Sequence, residues 1–385
     1  MADGAGRCSA PSLLPEFGKM TARRHPRTIL VPATKLRRLA VSKLEACGVP
    51  RADAALVADS LVQTSLWGID SHGIARLPHY LCRLQAGSIE PKPVMRFTAT
   101  GPCTGTVDGG HGLGILVCHR AMQEAIQLAK TQGVGMVGCR HSTHCGSIGL
   151  YGRQAAKLGL IGIAFTHSDA FVVPHGGKAA FLGTNPICIA VPSDEGPPVC
   201  LDMATAATTM NRVMNARREG QTLPAGVTLD KRGQPTTDAQ AVAALFPMAE
   251  HKGYALAFLI DILCGPLNGM PFGPHIPAMY GDLSARRNLG SLMIALDPLR
   301  FAGGRSLSAA VAQMAREARR QPRAVASVEV LVPGDPEYRT ELIRAVKGIP
   351  VEPCLRRELL TGDGARPPRS LRRESKPSPL CKIPS

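Results

Sequence analysis

The sequence contains no uninterrupted apolar run of about 18 residues, the length that a helix needs to cross a bilayer, so a membrane-spanning protein is not expected. Aromatic residues are also scarce, since they make up 4% of the 385 residues and include one Trp. They are not interleaved with basic residues, which disfavours a nucleic-acid-binding module. The chain has neither an internal repeat of solenoid period nor a Walker-type phosphate loop. These absences favour a globular protein with an ordinary apolar core.

The net charge of +16 is concentrated at the two ends of the chain. Residues 1–38 hold eight Lys or Arg against Asp3 and Glu16, and residues 354–385 hold eight against three acidic residues. Both ends are rich in Pro, Ser or Gly, a composition that buries little apolar surface. We expect a disordered basic extension over 1–30 and a disordered basic tail over 354–385. The alternative is that these ends bind nucleic acid, with an affinity that falls steeply with added salt.

The twelve cysteines are scattered through segments that resemble helices or strands, which favours thiols over a disulfide framework. No apolar signal-peptide core precedes Met20, and Arg23, Arg24 and Arg27 lack the amphipathic repeat of a transit peptide. The sequence therefore predicts a cytoplasmic protein. Whether Met1 or Met20 begins the working chain is left open.

The length favours two domains, and the apolar pattern alternates between helix and strand spacing. Helices are predicted before residue 68, over "GILVCHRAMQEAIQLAKTQG", "HKGYALAFLIDILCGPLNG" and "LSAAVAQMAREARR". Strands are predicted in "VMRFTATGPCTGTVDGG", "VGMVGCR", "LIGIAFTHS", "AFLGTNPICIAVP", "PVCLDMA" and "ASVEVLVPG". This order predicts a mixed α/β protein.

Two motifs suggest sites that their context disfavours. "GVGMVG", residues 133–138, matches the dinucleotide fingerprint, but a helix precedes it and a strand follows, the reverse of what a phosphate loop needs. "CRHSTHCG", residues 139–146, offers two Cys and two His to a zinc ion. These ligands are crowded without a second pair, so one or two functional His in a loop that leaves a strand are favoured over a metal site.

The segment "GIDSHGIARLPHY", residues 68–80, carries the most suggestive chemistry. A helix capped by Asp70 or Ser71 would place His72 and Arg76 on one face, with Tyr80 a turn further on. Imidazole can exchange a proton with a hydroxyl near neutral pH, and guanidinium binds a carboxylate through two parallel bonds. This pairing suits 2-hydroxy and 2-oxo acids. The alternative is a half-buried helix whose polar groups are satisfied.

The chain resembles the malate/L-lactate dehydrogenase family from about Val31 to about Pro353. The resemblance rests on an ordered set of motifs: "DSHGIARLPHY", "HSTHCGSIG", "SDAFVVPHGGKAAFLGTNP", "LDMAT", "GQPTTD", "HKGYALAFLIDILCG", "MYGDLSARRNLG" and "VLVPGDPE". Within the family, the segments around "PFGPHIPAMYGDL" and "VVPHGG" are most similar to ureidoglycolate dehydrogenases.

The resemblance implies a mixed α/β, non-Rossmann, malate/L-sulfolactate dehydrogenase-like fold that forms a homodimer. It implies a helical lobe over 31–90, completed by about 300–353, and an α/β cofactor-binding and catalytic region over 91–299. The implied activity is the interconversion of a small 2-hydroxy acid, such as lactate, malate or ureidoglycolate, and its 2-oxo acid with NAD or NADP. No metal is implied.

The resemblance also assigns residues to roles. The acid-base residue is His72 or His144, and the substrate-binding residues are Ser71, Arg76 and Tyr80. The cofactor-binding residues are Ser168, Thr184, Asn185, Asp202, Met203, Ala204, Lys252, Gly253, Gly334, Asp335 and Pro336. Lys252 would supply a cation for a phosphate, and Gly253 would allow close approach of backbone.

The chain departs from the family pattern in three places. Cys145 stands where many members have an aromatic or apolar residue, and "GVTLD" lacks a Trp often found before the Leu-Asp pair. The basic tail after about Cys354 matches nothing in the family. Two alternatives remain open: an NADPH-dependent reductase of a cyclic imine carboxylate, which needs the same Arg and proton donor, and an inactive paralogue.

Overall fold

The computed structural model describes residues 28–301 and 306–353, together with Leu355 and Leu359. Its strands are β1 (Ile29–Val31), β2 (Arg96–Ala99), β3 (Thr104–Asp108), β4 (Val134–Ser142), β5 (Ile161–Thr166), β6 (Ile187–Val191), β7 (Val199–Met203), β8 (Thr228–Asp230), β9 (Val242–Leu245), β10 (Leu289–Leu296) and β11 (Ile349–Val351). Its helices are α1 (Ala33–Ala46), α2 (Arg51–Leu66), α3 (Leu77–Gln85), α4 (Gly114–Gln132), α5 (Gly149–Ala156), α6 (Met210–Glu219), α7 (His251–Cys264), α8 (Leu307–Arg319) and α9 (Asp335–Lys347).

A seven-stranded sheet in the order β2-β3-β4-β10-β5-β6-β7 forms the centre of the molecule. Only β3 and β4 pair in parallel, and the other neighbours in this sheet are antiparallel. Separate pairs are formed by β8 with β9 and by β1 with β11. The mixed α/β prediction is confirmed, and the mostly antiparallel sheet is not the parallel sheet of a dinucleotide-binding Rossmann domain.

The main core lies where α4 and α5 pack on this sheet. The face that α4 turns to the strands is apolar at helical spacing, with Met122, Ile126 and Ala129 all buried. Val137 of β4 and Met293 of β10 lie in the same cluster. The helix ends at Gly133, which adopts φ +88° before β4 begins, so "GVGMVG" is a helix-to-strand turn as predicted.

A second core is shared by α1, α2, α3 and the β1–β11 pair, and it includes Leu36, Leu61, Leu77 and Ile349. Ile29 and Leu30, which fall in the predicted disordered extension, form part of β1. Leu359, which falls in the predicted tail, is buried in this second core. The rest of the extension and of the tail lies outside the described residues.

The predicted helices over "GILVCHRAMQEAIQLAKTQG", "HKGYALAFLIDILCG" and "LSAAVAQMAREAR" are confirmed as α4, α7 and α8. The predicted strand in "ASVEVLVPG" is wrong, because residues 326–334 form turns and irregular backbone. Val328 and Leu331 in this stretch are exposed, and in the described residues no neighbouring strand pairs with it. No helix among the described residues is long and apolar enough to cross a membrane.

Candidate functional site

The segment "DSHGIAR" connects α2 to α3 through two short 3₁₀ turns, Asp70–His72 and Ile74–Arg76. The two turns are separated at Gly73, whose ψ of −144° lies outside the helical region. Gly73 also packs tightly against α2, since a Cβ atom there would lie 2.1 Å from Oγ of Ser65. Glycine is required at this position because any side chain would displace the turns from α2.

The prediction of an α-helix that begins at Asp70 or Ser71 is therefore wrong, since the α-helix begins only at Leu77. His72 and Arg76 lie in consecutive 3₁₀ turns rather than one α-helical turn apart. The two side chains are still linked through Ser71, whose carbonyl accepts from Nε of Arg76 and whose Oγ lies 2.9 Å from Nδ1 of His72.

Four of the predicted residues form one cluster, in which Tyr80 is buried and the other three are partly buried. The hydroxyl of Tyr80, on α3, lies 2.7 Å from Nδ1 of His144, in the loop between β4 and α5. The ring of His72 stacks on that of His144, with centroids 5.4 Å apart and planes 25° apart. Ser71 Oγ lies 2.9 Å from Nδ1 of His72. The structure thus brings together residues that are 64 or more positions apart in the sequence.

The orientation of His144 is fixed through Nδ1. The backbone N–H of Gly146 can only donate, and it lies 3.2 Å from Nδ1 of His144, so Nδ1 is an acceptor. The hydroxyl of Tyr80 is then placed to donate to the same atom. In the neutral ring the proton lies on Nε2, which forms no hydrogen bond to another described residue and is available to a substrate oxygen.

The surroundings of the cluster oppose positive charge on its imidazoles. Burial, and then the charge of Arg76, lower the pKa of His72 to about 3. Burial is also the main cause that holds the pKa of His144 well below 6.5, with further contributions from His72, Arg76, His79 and Arg287. Burial raises the pKa of Tyr80 well above 10. At neutral pH the cluster is therefore an uncharged set of hydrogen-bonding groups.

Arg76 supplies a positive charge at the edge of this cluster. Its guanidinium donates to the hydroxyl of Tyr280 at 2.6 Å and to the backbone carbonyl of Ser71 at 2.5 Å. It also lies 5.9 Å from the centre of the Tyr280 ring. These acceptors are neutral, so the charge of Arg76 is not compensated by a carboxylate among the described residues. Arg76, Ser71 and His79 open onto a cleft of about 540 Å³.

A second guanidinium was not assigned a role from the sequence. Arg287 is buried and forms an ion pair of 2.5 Å with Asp169, which also accepts from the backbone N–H of Met279. Nε and Nη1 of Arg287 are buried without a hydrogen-bond partner among the described residues. It lies beside the cluster, because Met279 connects Asp169 to Arg83, which donates to His79. Its charge lowers the pKa of both His79 and His144. In the sequence, Arg287 lies in the "ARRNLG" motif, and nothing in that motif distinguishes Arg287 from its neighbours.

Part of the predicted cofactor set meets at the turns that follow β5 and precede β6. The backbone N–H of Thr184 lies 3.3 Å from Oγ of Ser168, and that of Ser168 lies 3.3 Å from Oδ1 of Asn185. Asn185 adopts φ +26° and donates from Nδ2 to the carbonyl of Ala257 on α7. This side chain therefore fixes the turn against α7.

Met203, Ala204, Lys252 and Gly253 lie next to that turn. Thr205, which follows Met203 and Ala204, pairs its N–H with the carbonyl of Thr184 at 3.0 Å. Its carbonyl accepts from Met248, and a Cβ atom on Gly253 would lie 1.9 Å from the carbonyl oxygen of Met248. The side chain of Lys252 is exposed at the start of α7. Backbone contact thus joins these four positions to the Ser168 turn.

The side chain of Asp202 points away from the Ser168 turn and toward the start of α5. Its Oδ2 accepts from Ser147 Oγ at 2.6 Å and from the backbone N–H of Gly149 at 2.9 Å. Burial raises the pKa of Asp202 in spite of these bonds. Arg153 lies nearby, stacked 4.2 Å from the Trp67 ring centre, and its buried Nη1 has no hydrogen-bond partner among the described residues.

The last predicted group, Gly334, Asp335 and Pro336, lies at the opposite end of β7 from Met203. Gly334 adopts φ +100° before α9 and lies against Cys200, whose N–H bonds to the carbonyl of Pro333 at 3.0 Å. The carboxylate of Asp335 is already paired with Arg319 at 2.7 Å. The predicted cofactor residues therefore form two groups at the two ends of β7 and not one.

The residues of the "CRHSTHCG" motif diverge in the structure. Cys139 and Cys145 are buried in the main core, and His141 forms an ion pair of 3.1 Å with Asp108. His144 turns to Tyr80 instead. The motif therefore delivers one histidine to the candidate site.

The chain is similar to known dehydrogenases along most of its length. The family described as malate/L-lactate dehydrogenase matches residues 31–360. The ureidoglycolate dehydrogenase (NAD(+)) of Escherichia coli O157:H7 is 37% identical over 316 residues, which are 82% of this chain and 90% of that protein.

Solved structures show the same fold. The sulfolactate dehydrogenase of Methanocaldococcus jannaschii matches with a TM-score of 0.81 and 34% identity, over 86% of this chain and 95% of that one. The delta1-piperideine-2-carboxylate reductase of Pseudomonas syringae pvar. tomato matches with a TM-score of 0.78 and 28% identity, over 86% and 99% of the two chains.

Proposed function

This chain belongs to the malate/L-lactate dehydrogenase family, and we propose that it is an enzyme that interconverts a small 2-hydroxy acid and its 2-oxo acid with a nicotinamide nucleotide. The observation that carries the proposal is the cluster itself. A half-buried, oriented imidazole on His144 lies beside the uncompensated charge of Arg76. This is the pairing that a 2-hydroxy acid requires, since its carboxylate needs a cation and its hydroxyl needs a proton acceptor.

Each residue has a distinct role in the proposed site. Arg76 binds the substrate carboxylate, and Ser71 lies beside it to hydrogen-bond the hydroxyl or keto oxygen. In reduction of the 2-oxo acid, Nε2–H of His144 gives its proton to the keto oxygen while Nδ1 takes the hydroxyl proton of Tyr80, and oxidation reverses both transfers. The nicotinamide ring, when bound, accepts or supplies the hydride, so the protein needs to align the two carbons and move one proton.

His144 is favoured over His72 as the acid-base residue. The Nδ1 atom of His72 is bonded to its neighbour Ser71, whereas His144 is held from two sides by Tyr80 and Gly146. A base that is oriented by a third group is the usual arrangement for proton transfer. His72 then stacks on the ring of His144, shields it from water and keeps it neutral.

The nucleotide is proposed to lie along β7, in contact with both groups of predicted residues. The unpartnered donor of Arg153 beside Asp202 fits a ligand that brings hydroxyl or phosphate oxygens. Lys252 is exposed at the other end, where a second phosphate contact is possible. Either NAD or NADP suits these residues, and NAD is the first to test because the Escherichia coli relative is described with NAD(+).

A cyclic imine carboxylate is the second candidate substrate class. The Pseudomonas syringae structure is described as a reductase of such a compound, and it shares this fold. The same Arg76 would bind its carboxylate, and the same proton donor would protonate the imine nitrogen while the hydride reaches the imine carbon. Comparing a 2-oxo acid with a cyclic imine carboxylate as oxidant of NADPH distinguishes the two.

The homodimer and the cytoplasmic location remain predictions. The dimer is supported by α7, which exposes an apolar face: Phe258, Leu259 and Ile262 are 39%, 58% and 41% exposed. The opposite face of the same helix, with Ile260 and Cys264, is buried. An apolar helix face of this kind in contact with water is a usual sign of a protein interface.

The proposal is tested by single substitutions assayed with a panel of 2-hydroxy acids and both nucleotides. His144→Ala should lower kcat/KM by about 100-fold to 10,000-fold, the usual contribution of a general acid-base group. His72→Ala should have a smaller effect. His275→Ala, at an exposed histidine outside the cluster, is the matched control. Full turnover in both the His72 and His144 variants would overturn the proposal.

A further inference from the structure

Residues 276–288 connect a short 3₁₀ turn, Gly273–His275, to β10 without forming a helix or strand of their own. This connecting segment carries Tyr280, whose hydroxyl accepts a hydrogen bond from Arg76 at 2.6 Å. Hydrogen bonds within its own backbone are long, such as the 3.4 Å bond from Gly281 to Ala278. Side chains from other elements must therefore fix the position of Tyr280.

Arg83, on α3, holds the connecting segment on both sides of Tyr280. The side chain is buried, and the proposed mechanism gives it no role. Its guanidinium donates to four backbone carbonyls of the segment, at 2.9 to 3.3 Å: those of Ala278, Met279, Leu283 and Ala285. One side chain of α3 thus fixes the backbone before and after the tyrosine.

The chemistry of arginine suits this position. Burial, and then the charge of Arg287, lower the pKa of Arg83 only to about 10, so Arg83 is charged at neutral pH. Hydrogen bonds from a charged donor to a carbonyl are stronger than those between neutral groups. A guanidinium offers five N–H donors in one plane, whereas the ammonium of a lysine offers three from a single atom. Lysine could not bond all these carbonyls from one place.

Asp169 holds the connecting segment from the other side. Its carboxylate accepts from the backbone N–H of Met279 at 2.9 Å and forms the ion pair with Arg287 at 2.5 Å. The carbonyl of Met279 is bonded to Arg83 at the same time. Met279, which directly precedes Tyr280, is therefore held through both of its backbone polar groups.

The hydroxyl of Tyr280 in turn fixes Arg76. The guanidinium of Arg76 donates from Nη1 to this hydroxyl, and from Nε to the carbonyl of Ser71 at 2.5 Å. Both acceptors are neutral, so they orient the guanidinium without cancelling its charge. Nη2 forms no hydrogen bond to another described residue, which leaves its two N–H groups for a substrate carboxylate.

We propose that Tyr280 is a positioning residue that orients the carboxylate-binding Arg76, and that Arg83 acts through Tyr280 by fixing the segment that carries it. The proposal rests on the proposed 2-hydroxy acid dehydrogenase activity. A guanidinium held at two points loses less side-chain freedom when it binds a carboxylate. Loss of the Tyr280 hydroxyl should weaken substrate binding and leave proton transfer at His144 intact.

Tyr280→Phe tests the first step, because it removes the hydroxyl and keeps every bond of Arg83 to the segment. The assay uses the 2-hydroxy acid of the panel that the unmodified protein oxidises fastest. We expect KM to rise by about threefold to tenfold, the cost of immobilising one long side chain, with kcat within about twofold. The Kd for NADH, measured by its fluorescence, should not change. Tyr338→Phe, at an exposed tyrosine on α9, is the matched control.

A double-mutant comparison tests the second step. Arg83→Lys should raise KM as Tyr280→Phe does, and the two changes together should raise it no more than one of them, because both remove the same support from Arg76. Arg217→Lys is the matched control, since Arg217 bonds the carbonyls of Ala239 and Val242 instead of this segment. If Arg83→Lys does not fold, Ser88→Ala replaces it, because Ser88 Oγ donates to Leu283 at 2.6 Å.

The outcomes separate this proposal from the one on which it depends. An unchanged KM in Tyr280→Phe, or a fall in kcat at unchanged KM, would overturn the positioning role while the dehydrogenase activity stands. Effects that multiply in the double variant would show that Arg83 does not act through Tyr280. Failure of the unmodified protein to oxidise any 2-hydroxy acid with either nucleotide would overturn both proposals.

Discussion

At the scale of single residues, the candidate site holds three histidines uncharged beside the positive charge of Arg76. His72, His79 and His144 are kept neutral by burial and by nearby arginines, and among the described residues no carboxylate opposes this effect. With Nδ1 accepting from Gly146, the neutral ring of His144 carries its proton on Nε2 and can give it to a keto oxygen without first becoming an imidazolium.

The lowered histidine pKa values predict an acid-sensitive fold. Below pH 6.5 the unfolded chain binds protons at these histidines, whereas folded His72 stays neutral down to about pH 3. The unfolded state therefore gains stability, and the free energy of unfolding should fall as pH decreases from 6.5 toward 3, by up to about 1.4 kcal/mol per pH unit for each such group. Urea unfolding at pH 7.5 and at pH 5.5 measures this fall.

A substitution assigns the effect to the cluster. His72→Gln removes one of the groups, so its free energy of unfolding should decrease less between pH 7.5 and pH 5.5 than that of the unmodified protein. His275→Gln removes an exposed histidine and should show the unmodified decrease. If the free energy of unfolding decreases equally between pH 7.5 and pH 5.5 in all three proteins, the effect does not come from the cluster.

At the scale of elements, the site depends on how closely the two 3₁₀ turns approach α2. Gly73→Ala would place Cβ 2.1 Å from Ser65 Oγ and 2.9 Å from the backbone N of Ser65. Backbone cannot yield as a flexible side chain can, so the turns should shift away from α2. We expect kcat/KM to fall by about 100-fold, since displacement by about 1 Å costs this much.

The control for this prediction is Gly87→Ala. Gly87 also lies in a turn, at φ +77°, and a Cβ atom there would meet no atom within 4 Å. This variant should lose some stability through backbone strain but keep its kcat/KM. If Gly73→Ala retains full kcat/KM, the turns do not position the site as described.

The helices and strands also show which parts of the fold can be predicted from the sequence. The helices α4, α7 and α8 were predictable, because their apolar residues recur at helical spacing and each buries one face. The 3₁₀ turns at residues 70–76 were not, because Ser65, which excludes a side chain at Gly73, lies on another element. "ASVEVLVPG" has the composition of a strand but no partner strand among the described residues, and pairing is not encoded in the segment itself.

Some residues of the candidate site could likewise be predicted from the sequence, and others could not. His72, Arg76, Tyr80 and His144 could be found from their motifs, and the structure brings them together. Arg287 could not, because its partner Asp169 is 118 residues away and either residue alone resembles a surface charge.

At the scale of the whole molecule, the exposed face of α7 predicts the assembly. If two copies pack through Phe258, Leu259 and Ile262, then Leu259→Asp should dissociate the dimer, because burial of an unpaired carboxylate at an interface is costly. Sedimentation velocity at micromolar concentration should show a dimer for the unmodified protein and a monomer for the variant. Leu158→Asp, at an exposed leucine after α5, is the control and should leave the dimer intact.

A monomeric unmodified protein would refute this prediction. A dimer that survives Leu259→Asp would place the interface elsewhere. Because Lys252 and Gly253 lie in the first turn of α7, loss of the dimer should also weaken nucleotide binding if the two are coupled, and the fluorescence of bound NADH would report this change.

The pairing of β1 with β11 has a consequence for how the protein is made. Ile29 pairs with Val351 across more than 300 residues of sequence, so β1 can find its neighbour only after the whole central sheet has been synthesised. The central sheet can therefore assemble while the core of α1 to α3 is still incomplete. A chain that stops just before residue 349 should form this sheet but leave apolar side chains of α1 to α3 open to water, which would make it a substrate for chaperones and proteases.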